Sequence, residues 1–242
     1  MNKVSVIIAA KNEGPRIGSV LDVVTKHPLV DEVIAMCNGC TDNTVDVARS
    51  YGVNVHEDAR SIGKTKAIKK GISLAKNDVV LLIDADLRDL VATDITNLAS
   101  PVLTGQVDFT LSTRENSLLL FKLFGIDFIS GERGMRKDLL DDPYIWSKSH
   151  VSYGLEVLMN KSLLKRGKTF ISVMTKSHAI RKREKTSLVK GTLEDYSMIF
   201  NIFRVIPFYE FFWQLFKMSY LSKRYKKMIK AQTKASSASY PS

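Results

Sequence analysis

The alternation of strand and helix signals in the first 115 residues constrains the fold more than any other feature of this sequence. Short apolar runs typical of buried strands lie at 4–9, 31–36, 53–56 and 79–83. Between the first two runs, Ile17, Val20, Leu21 and Val24 recur at the spacing of one helix face. This order predicts an α/β fold with a mostly parallel central sheet, flanking helices and right-handed crossovers.

Two carboxylates follow the strand predicted at 79–83. Asp84 and Asp86 come directly after five consecutive apolar residues, a pattern typical of a strand buried on both faces. Ligands of open α/β sheets collect at the carboxyl ends of the strands, and carboxylate oxygens bind hard divalent cations. The residues alone leave an Asp-rich turn as the alternative interpretation.

Two common nucleotide-binding motifs are absent from the sequence. No Gly-x-Gly-x-x-Gly follows the first predicted strand, and no Gly-x-x-x-x-Gly-Lys-Ser/Thr occurs, so neither a dinucleotide site nor a P-loop is predicted. A sugar nucleotidyltransferase would share the predicted sheet. It ranks second, because no Gly-rich, Arg-containing loop follows the first strand to hold a triphosphate.

Four ordered motifs resemble those of family 2-type glycosyltransferases with the GT-A fold. They are Val-Ser-Val-Ile-Ile-Ala-Ala-Lys-Asn-Glu at 4–13, Asn-Gly-Cys-Thr-Asp-Asn-Thr at 38–44, Gly63-Lys64 and Asp84-Ala85-Asp86. More loosely, segments 130–133, 153–156 and 177–178 resemble the acceptor half of glucosyl-3-phosphoglycerate synthases. The resemblance implies transfer of a sugar from a nucleotide-diphosphate sugar, UDP- or GDP-linked, to a hydroxyl or phosphate acceptor. That acceptor can be a sugar, a phosphorylated molecule or a lipid-linked one.

The resemblance also implies a set of site residues. Asp86 matches the main ligand of a Mn²⁺ or Mg²⁺ cofactor, with Asp84 in support and His178 as a third ligand. Asp86, Glu156 and Glu132 are the catalytic candidates, and Glu156 would orient or deprotonate an acceptor hydroxyl. The residues implied to bind the nucleotide sugar are Ala9, Ala10, Asn12, Glu13, Asn38, Lys64, Asp84 and Ala85.

One position departs from the family pattern. Many relatives carry an Asp that receives the imide hydrogen of the base, whereas this chain has Cys37 followed by Asn38. An Asn amide can both donate and accept a hydrogen bond, so it is compatible with uracil and with guanine. The identity of the base is therefore left open.

Positive charge is concentrated at the C-terminal end of the sequence. The net charge is +11, and residues 161–242 hold 18 Lys and Arg against 4 Asp and Glu. This segment predicts an anionic partner such as a membrane surface or a phosphorylated substrate, unless the charge serves solubility alone. Nucleic acid is a less favoured partner, and a non-catalytic anion- or nucleic-acid-binding protein is the alternative function.

The two cysteines, Cys37 and Cys40, have the spacing of a redox motif or of half a zinc site. The sequence has no second Cys pair and only four, widely spaced histidines. Reduced, structural thiols are therefore predicted.

The sequence predicts a GT-A catalytic domain at 1–190, divided into a nucleotide-sugar half at 1–115 and an acceptor half at 116–190. Within this domain, apolar and polar residues alternate over 106–113, which predicts a half-buried strand. The apolar segment 118–128 is predicted to be a helix that packs on the sheet or lines the acceptor entrance. A helical aromatic and basic extension is expected at 191–230, and a disordered tail at 231–242.

The predicted extension contains an amphipathic helix that begins at Phe208. Phe211, Phe212, Leu215 and Met218 are expected on one face, opposite a polar face formed by Glu210, Gln214 and Lys217. The apolar face could bind an anionic membrane, pack on the sheet or form a homodimer. Because no leader-like segment or spanning apolar stretch is found, we expect a cytoplasmic protein, with peripheral contact at the inner membrane face as an option.

Overall fold

A computed structural model describes residues 3–148, 154–179 and 202–238 of the chain. The strands and helices are, in chain order, β1 Val4–Ala10, α1 Gly14–Val24, β2 Val30–Asn38, α2 Thr44–Ser50, β3 Asn54–Asp58, α3 Lys64–Leu74, β4 Val79–Asp84, β5 Leu87–Arg88, α4 Ala92–Leu103, β6 Phe109–Arg114, α5 Leu119–Phe124, β7 Arg133–Arg136, α6 Leu155–Lys165, β8 Phe170–Thr175, β9 His178–Ala179 and α7 Phe208–Ala238. Two short 3₁₀ helices, Lys137–Leu140 and Pro143–Trp146, connect β7 to the later part of the chain.

The central sheet has seven strands in the order β3-β2-β1-β4-β7-β6-β8. Neighbouring strands are parallel except where β7 pairs with β4 and with β6, and both of those pairings are antiparallel. A separate two-stranded ribbon joins β5 to β9. This architecture confirms the predicted mostly parallel α/β sheet.

Each face of the sheet is covered by helices, because successive side chains of a strand point to opposite faces. Val6 and Ile8 belong to an apolar cluster that contains the buried residues of α1 and α4. Ile7 lies between them in sequence and belongs to the other cluster, which contains buried residues of α3, α6 and α7. The sheet therefore separates two cores.

Strand β6 is buried on both faces, although the sequence predicts a half-buried strand. Thr110 and Ser112, on the polar side of the alternation, are fully buried. Thr110 donates a hydrogen bond to the Leu98 carbonyl at 2.7 Å, and Ser112 donates to Glu132 at 2.6 Å. Their hydroxyl groups can be buried because each has a partner.

Helix α7 packs on the core, and the predicted division of its faces is wrong. Leu215 and Met218 are fully buried, as an apolar face requires, but Glu210 and Gln214 are buried as well. Lys161 of α6 binds Glu210 at 2.8 Å, and Gln214 donates to the Val157 carbonyl of α6 at 3.2 Å. Partners on α6 thus compensate the burial of these polar groups.

Two boundaries also differ from those predicted. The helix within 118–128 is limited to Leu119–Phe124, and α7 continues to Ala238, so residues 231–238 are helical where a disordered tail is expected. The rest of that tail, 239–242, and the start of the extension, 191–201, lie outside the described residues. Within the described ranges, no helix has the length and apolar content that a membrane span requires.

Candidate active site

The carboxyl ends of β1, β2 and β4 meet at one edge of the sheet. In the strand register, Ala9 lies opposite Asp84 and Ala10 lies opposite Cys37, one residue before Asn38. Residues from three of the four family-like motifs are therefore neighbours, although they are 28 to 75 positions apart in sequence. Parallel strands place such residues together.

The loops that follow β1 and β2 are joined by hydrogen bonds. Asn12 Oδ1 accepts from the Thr41 backbone N–H at 2.8 Å, and the Glu13 backbone N–H donates to Thr44 Oγ1 at 2.8 Å. Asn12 has a φ of 56°, in the left-handed region that Asn tolerates better than most residues. The first two motifs therefore form one wall of the site.

Asn38 is buried and supports a neighbouring loop. Its Oδ1 accepts a hydrogen bond from the Ile62 backbone N–H at 2.7 Å, which fixes the orientation of the amide. The amide keeps its two hydrogens and a second lone pair on the oxygen for a ligand. The donor and acceptor role that the sequence allows is therefore retained.

Lys64, the first residue of α3, reaches across the site to Asp84. Its Nζ lies 2.6 Å from Asp84 Oδ1. Burial by itself would raise the pKa of Asp84, but the Lys64 charge outweighs burial and lowers that pKa to about 2. The Asp84 carboxylate is therefore ionised at neutral pH and held towards α3.

Gly131 leaves the space that the Asp84 carboxylate occupies. A Cβ atom at residue 131 would lie 2.9 Å from Asp84 Oδ2 and 3.1 Å from Oδ1. Atoms that close must move apart, so a side chain at this position would displace Asp84.

The β5–β9 ribbon pairs His178 with the segment that follows Asp86, the main predicted metal ligand. His178 pairs with Arg88, two residues after Asp86, and its Nδ1 lies 3.2 Å from Asp89 Oδ2 without making a hydrogen bond. Its Nε2 lies 3.8 Å from a carboxylate oxygen of Glu115. Two carboxylates, Asp89 and Glu115, therefore lie near the ring of His178.

The predicted metal ligands Asp84, Asp86 and His178 are not assembled into a cluster. Among residues 3–148, 154–179 and 202–238, no three His, Cys, Asp or Glu side chains form a group that could hold a metal ion. The physical reason is that Asp84 is bound by Lys64 and His178 faces Asp89. A half-buried carboxylate at Asp86 and a buried, unbonded imidazole nitrogen still fit a divalent cation that takes further oxygens from its ligand.

Glu132, a predicted catalytic residue, is enclosed by protein. Its Oε2 accepts from Ser112 at 2.6 Å and from Ser130 at 2.8 Å, while Oε1 binds Arg114 at 3.1 Å. Burial raises the pKa of Glu132, and the nearby Asp84 charge raises it further, against the effect of Arg114. The carboxylate is 1% exposed, so contact with an acceptor is excluded in this conformation and Glu132 instead positions Arg114.

Arg114, whose side chain is 16% exposed, is a cation that was not predicted among the site residues from the sequence. Besides Glu132, it faces Asp127, whose Oδ2 lies 3.6 Å from the guanidinium. Burial alone would lower the pKa of Arg114, but Glu132 and Asp127 outweigh burial and raise it. Its position at the end of a predicted strand was visible in the sequence, whereas its partners at 127 and 132 depend on the fold.

Glu156 and Asp84 line the same small cavity. Glu156 lies in the first turn of α6, and Lys64, Gly131 and Arg133 are among the other lining residues. The acceptor-side carboxylate predicted from the sequence is therefore brought beside the residues predicted to bind the donor.

Arg133 is a second functional candidate that the sequence did not single out. It is fully buried, and its guanidinium donates to the Ser130 and Phe128 carbonyls and to Asn160 Oδ1, at 2.7 to 2.9 Å. All of these acceptors are uncharged, and burial lowers the pKa of Arg133 to about 10. The cavity wall thus contains a cation whose charge no hydrogen-bonded carboxylate compensates.

The family model described as "Glycosyl transferase family 2" matches residues 5–166 of the chain. The chain belongs to glycosyl transferase family 2. Among curated proteins, the 4,4'-diaponeurosporenoate glycosyltransferase of Staphylococcus aureus strain USA300 is 36% identical over 88 residues, as is the same protein from strain NCTC 8325. That match covers 34% of this chain and 24% of the relative, about a quarter of the relative's length.

Solved structures with the same fold include glucosyl-3-phosphoglycerate synthase from Mycobacterium tuberculosis. Its complex with phosphoglyceric acid superposes with a TM-score of 0.66 at 22% identity, covering 84% of this chain and 80% of that one. Its complex with Mn²⁺, UDP and phosphoglyceric acid gives a TM-score of 0.65 at 22% identity, covering 84% and 78%. This family 2 chain therefore has the GT-A fold.

Most of the residues predicted to bind the nucleotide sugar lie together in this family 2 chain, but the side chain of one of them, Ala85, points away from the site. Ala9, Asn12, Asn38 and Asp84 lie at one sheet edge, as described above. Ala85, predicted to bind the nucleotide sugar, has its side chain buried in the α1/α4 core. Only the backbone of Ala85 can therefore contact a ligand.

Proposed function

We propose that this family 2 protein transfers a sugar from a UDP- or GDP-sugar to a hydroxyl or phosphate acceptor. The observation that carries the proposal is the cavity shared by Asp84, at the end of β4, and Glu156, at the start of α6. It adjoins the sheet edge at which the predicted nucleotide-binding motifs meet. One carboxylate thus lies on the donor side and another on the acceptor side.

On the donor side, the joined loops after β1 and β2 would hold the nucleoside. Asn38 can offer a hydrogen-bond donor to a base carbonyl oxygen, a group that uracil and guanine share. The UDP bound to the structurally similar Mycobacterium tuberculosis enzyme supports a uridine nucleotide. The Lys64 ammonium group would bind the phosphate groups after its ion pair with Asp84 breaks.

The residues that would hold Mn²⁺ or Mg²⁺ are Asp86 and His178, with Asp84 in support. When bound, such a cation neutralises the diphosphate leaving group as a Lewis acid. Structures of the Mycobacterium tuberculosis enzyme contain Mn²⁺ or Mg²⁺ together with UDP, which supports the same cofactor here.

On the acceptor side, Glu156 would orient the acceptor hydroxyl and take its proton. Arg133, whose guanidinium is hydrogen-bonded to uncharged acceptors, places a positive charge in the cavity wall beside Glu156, which favours a phosphorylated acceptor. Phosphoglyceric acid and glycerol 3-phosphate are bound by the Mycobacterium tuberculosis enzyme, which supports this class. A lipid-linked phosphate would satisfy the same requirement.

Calorimetry with UDP, GDP and the corresponding nucleotide sugars, with and without Mn²⁺, tests the donor proposal. We expect binding that requires Mn²⁺ and that Asp86→Asn weakens by a factor of ten to 100, the range typical for loss of metal-site support. Asp141→Asn, at an exposed carboxylate far from the site in sequence, is the matched control. Equal binding by Asp86→Asn and native protein would contradict the proposal.

The acceptor role requires a separate measurement of turnover. Release of nucleoside diphosphate is followed with phosphorylated and unphosphorylated acceptors. Glu156→Gln should lower kcat by about 100-fold or more while donor affinity is retained, because the variant keeps its shape but cannot accept a proton. Unchanged kcat in this variant would remove Glu156 from the mechanism.

A further inference from the structure

Helix α7 exposes a row of aromatic side chains on the side opposite the core. Tyr209, Trp213, Phe216 and Tyr220 are 46 to 73% exposed and follow one another at the helical spacing of three or four residues. They are distinct from Phe211, Leu215 and Met218, which are buried. The predicted apolar face is thus internal, and a second apolar face points outwards.

Helix α5 enlarges this surface. Leu119, Leu120 and Leu123 are 40 to 72% exposed, although leucine seldom occurs in such exposed groups in a soluble monomer. The two helices are in contact, since the Phe124 and Phe216 rings pack edge to face with centroids 5.1 Å apart. We call the exposed residues of both helices the α5/α7 platform, which consists of Leu119, Leu120, Leu123, Trp213, Phe216 and Tyr220.

Basic residues border the platform. Lys217 lies between the aromatic residues, with its Nζ 5.1 Å from the centroid of the Trp213 ring. The same helix face continues past Tyr220 with the exposed residues Lys223, Arg224 and Lys227. The described part of α7 is therefore aromatic in its first half and basic in its second.

The platform helices expose no carboxylate in the part of the chain that the structure describes. α5 contains no Asp or Glu, and residues 208–232 of α7 contain only Glu210, which is buried and bound to Lys161. The partner of this surface must therefore match apolar groups beside uncompensated positive charge.

We infer that the α5/α7 platform docks on an anionic lipid bilayer. Aromatic and leucine side chains can enter the boundary between headgroups and acyl chains, while lysines remain with the lipid phosphates. A second copy of the chain offers no exposed carboxylate on α5 or on the described part of α7 to pair with the lysines, which disfavours a dimer through this surface. Nucleic acid would match the lysines but would leave the α5 leucines exposed.

The docking does not require the proposed sugar transfer, because vesicle binding needs no donor or acceptor. Docking through the platform would, however, determine which side of the candidate site faces the bilayer. α5 follows β6 after four residues, and β6 ends at Arg114 of the candidate site. The acceptor side would thus lie near the bilayer, where a lipid-linked acceptor would be presented.

Co-sedimentation of the full chain with vesicles tests the inference. We expect binding to phosphatidylcholine vesicles that contain 30% phosphatidylglycerol, and at least tenfold weaker binding to pure phosphatidylcholine. The triple variant Leu119→Ser, Leu123→Ser, Phe216→Ser should bind the anionic vesicles at least tenfold more weakly. Its control is Ile62→Ser, Leu74→Ser, Met174→Ser, which removes exposed apolar side chains from other elements.

Charge is tested with a second pair of variants. Lys217→Gln, Lys223→Gln, Lys227→Gln should lose at least tenfold in affinity for the anionic vesicles, because each lysine near such a surface contributes about fivefold. Lys26→Gln, Lys66→Gln, Lys76→Gln removes the same charge from exposed sites on other elements and should bind like the native protein.

Three results would overturn the inference. They are absence of native binding to anionic vesicles, equal losses in the platform and control variants, and a native dimer in light scattering that the platform variants convert to monomer. Thermal unfolding of each variant identifies any that fails to fold. Truncation before α7 is not a usable test, because it would remove buried core residues.

Discussion

At the scale of single residues, the site depends on how the Asp84 carboxylate is held. Lys64 binds one of its oxygens, and Gly131 supplies the space on the other side. Both neighbours are distant in sequence, so the strand signal predicts Asp84 itself but not its surroundings. Positions of this kind tolerate little change, because a displacement of about 1 Å in a catalytic group can cost 100-fold in rate.

Gly131→Ala should weaken the site while the fold remains intact. The added methyl group would lie 2.9 Å from Asp84 Oδ2 and must push the carboxylate aside. We expect nucleotide affinity in Mn²⁺ to fall by roughly ten- to 100-fold, measured by calorimetry. Gly18→Ala, in α1, serves as the control, and equal affinities in the two variants would show that the contact is relieved without moving Asp84.

The two cysteines should differ in reactivity towards an alkylating reagent. Cys37 is buried in β2, and burial, assisted by the neighbouring Cys40, raises the pKa of its thiol to about 12. At pH 8 only about one Cys37 in ten thousand is a thiolate, the reactive form. We expect iodoacetamide to modify the half-exposed Cys40 first, as read by peptide mass spectrometry.

In urea both thiols should react at similar rates, which controls for reagent quality. Rapid labelling of Cys37 in the folded protein would contradict its placement in the core. This experiment also tests the prediction of reduced, structural thiols, which the sequence supports through the lack of a second Cys pair.

At the scale of elements, β7 shows how neighbouring strands determine the place of a short strand. It lies between β4 and β6, antiparallel to both, and its Gly134 faces the Leu98 carbonyl of α4. The sequence contains no alternation that predicts this strand, because it is short and charged at both ends. Its place is determined by neighbours that lie more than 20 residues away.

Gly134→Ala should destabilise the protein more than Gly154→Ala. A Cβ at 134 would lie 2.4 Å from a backbone oxygen of Leu98, which cannot rotate away, whereas a Cβ at 154 would lie 2.6 Å from a Val205 side-chain carbon. We expect Gly134→Ala to cost about 1–3 kcal/mol, the usual range for overpacking. Urea unfolding measures the free energy of unfolding of both variants. A larger loss in Gly154→Ala than in Gly134→Ala would contradict the α4–β7 contact.

Helices α6 and α7 show why the face of a helix is hard to predict from its own residues. Glu210 and Gln214 form a polar face when α7 is considered alone, yet both are buried, because Lys161 and the Val157 carbonyl of α6 are their partners. Residues 49 and 57 positions away thus determine whether these groups can be buried. The α1 face, whose buried residues are all uncharged, was predicted correctly.

At the scale of the whole molecule, the central sheet separates two cores that are formed by different parts of the chain. The core that contains α1 and α4 draws almost entirely on residues 4–107, whose alternation the sequence shows clearly. The other core needs residues from β1 through α7, as far as Met218. Motif order and periodicity therefore predict the first half of the fold well, while the second half depends on contacts across the whole chain.

Leu215→Ala should destabilise the protein more than Phe216→Ala. Leu215 is fully buried in the core, whereas Phe216, its neighbour, is 54% exposed and packs on Phe124. We expect a loss of about 2–5 kcal/mol in the free energy of unfolding for Leu215→Ala and less than about 1.5 kcal/mol for Phe216→Ala. Urea unfolding followed by tryptophan fluorescence compares them, and similar losses would show that α7 is not packed as described.

The position of α7 has a consequence for how the protein is made. Segments emerge from the ribosome in sequence order, so β1, β4 and the helices α1 and α4 are available long before Leu215. Until α7 emerges, Phe128 and Phe170 lack the rings of Phe211 and Tyr225 that pack against them in the folded protein. We therefore expect nascent chains shorter than about 220 residues to be clients of the chaperones that bind exposed apolar strands.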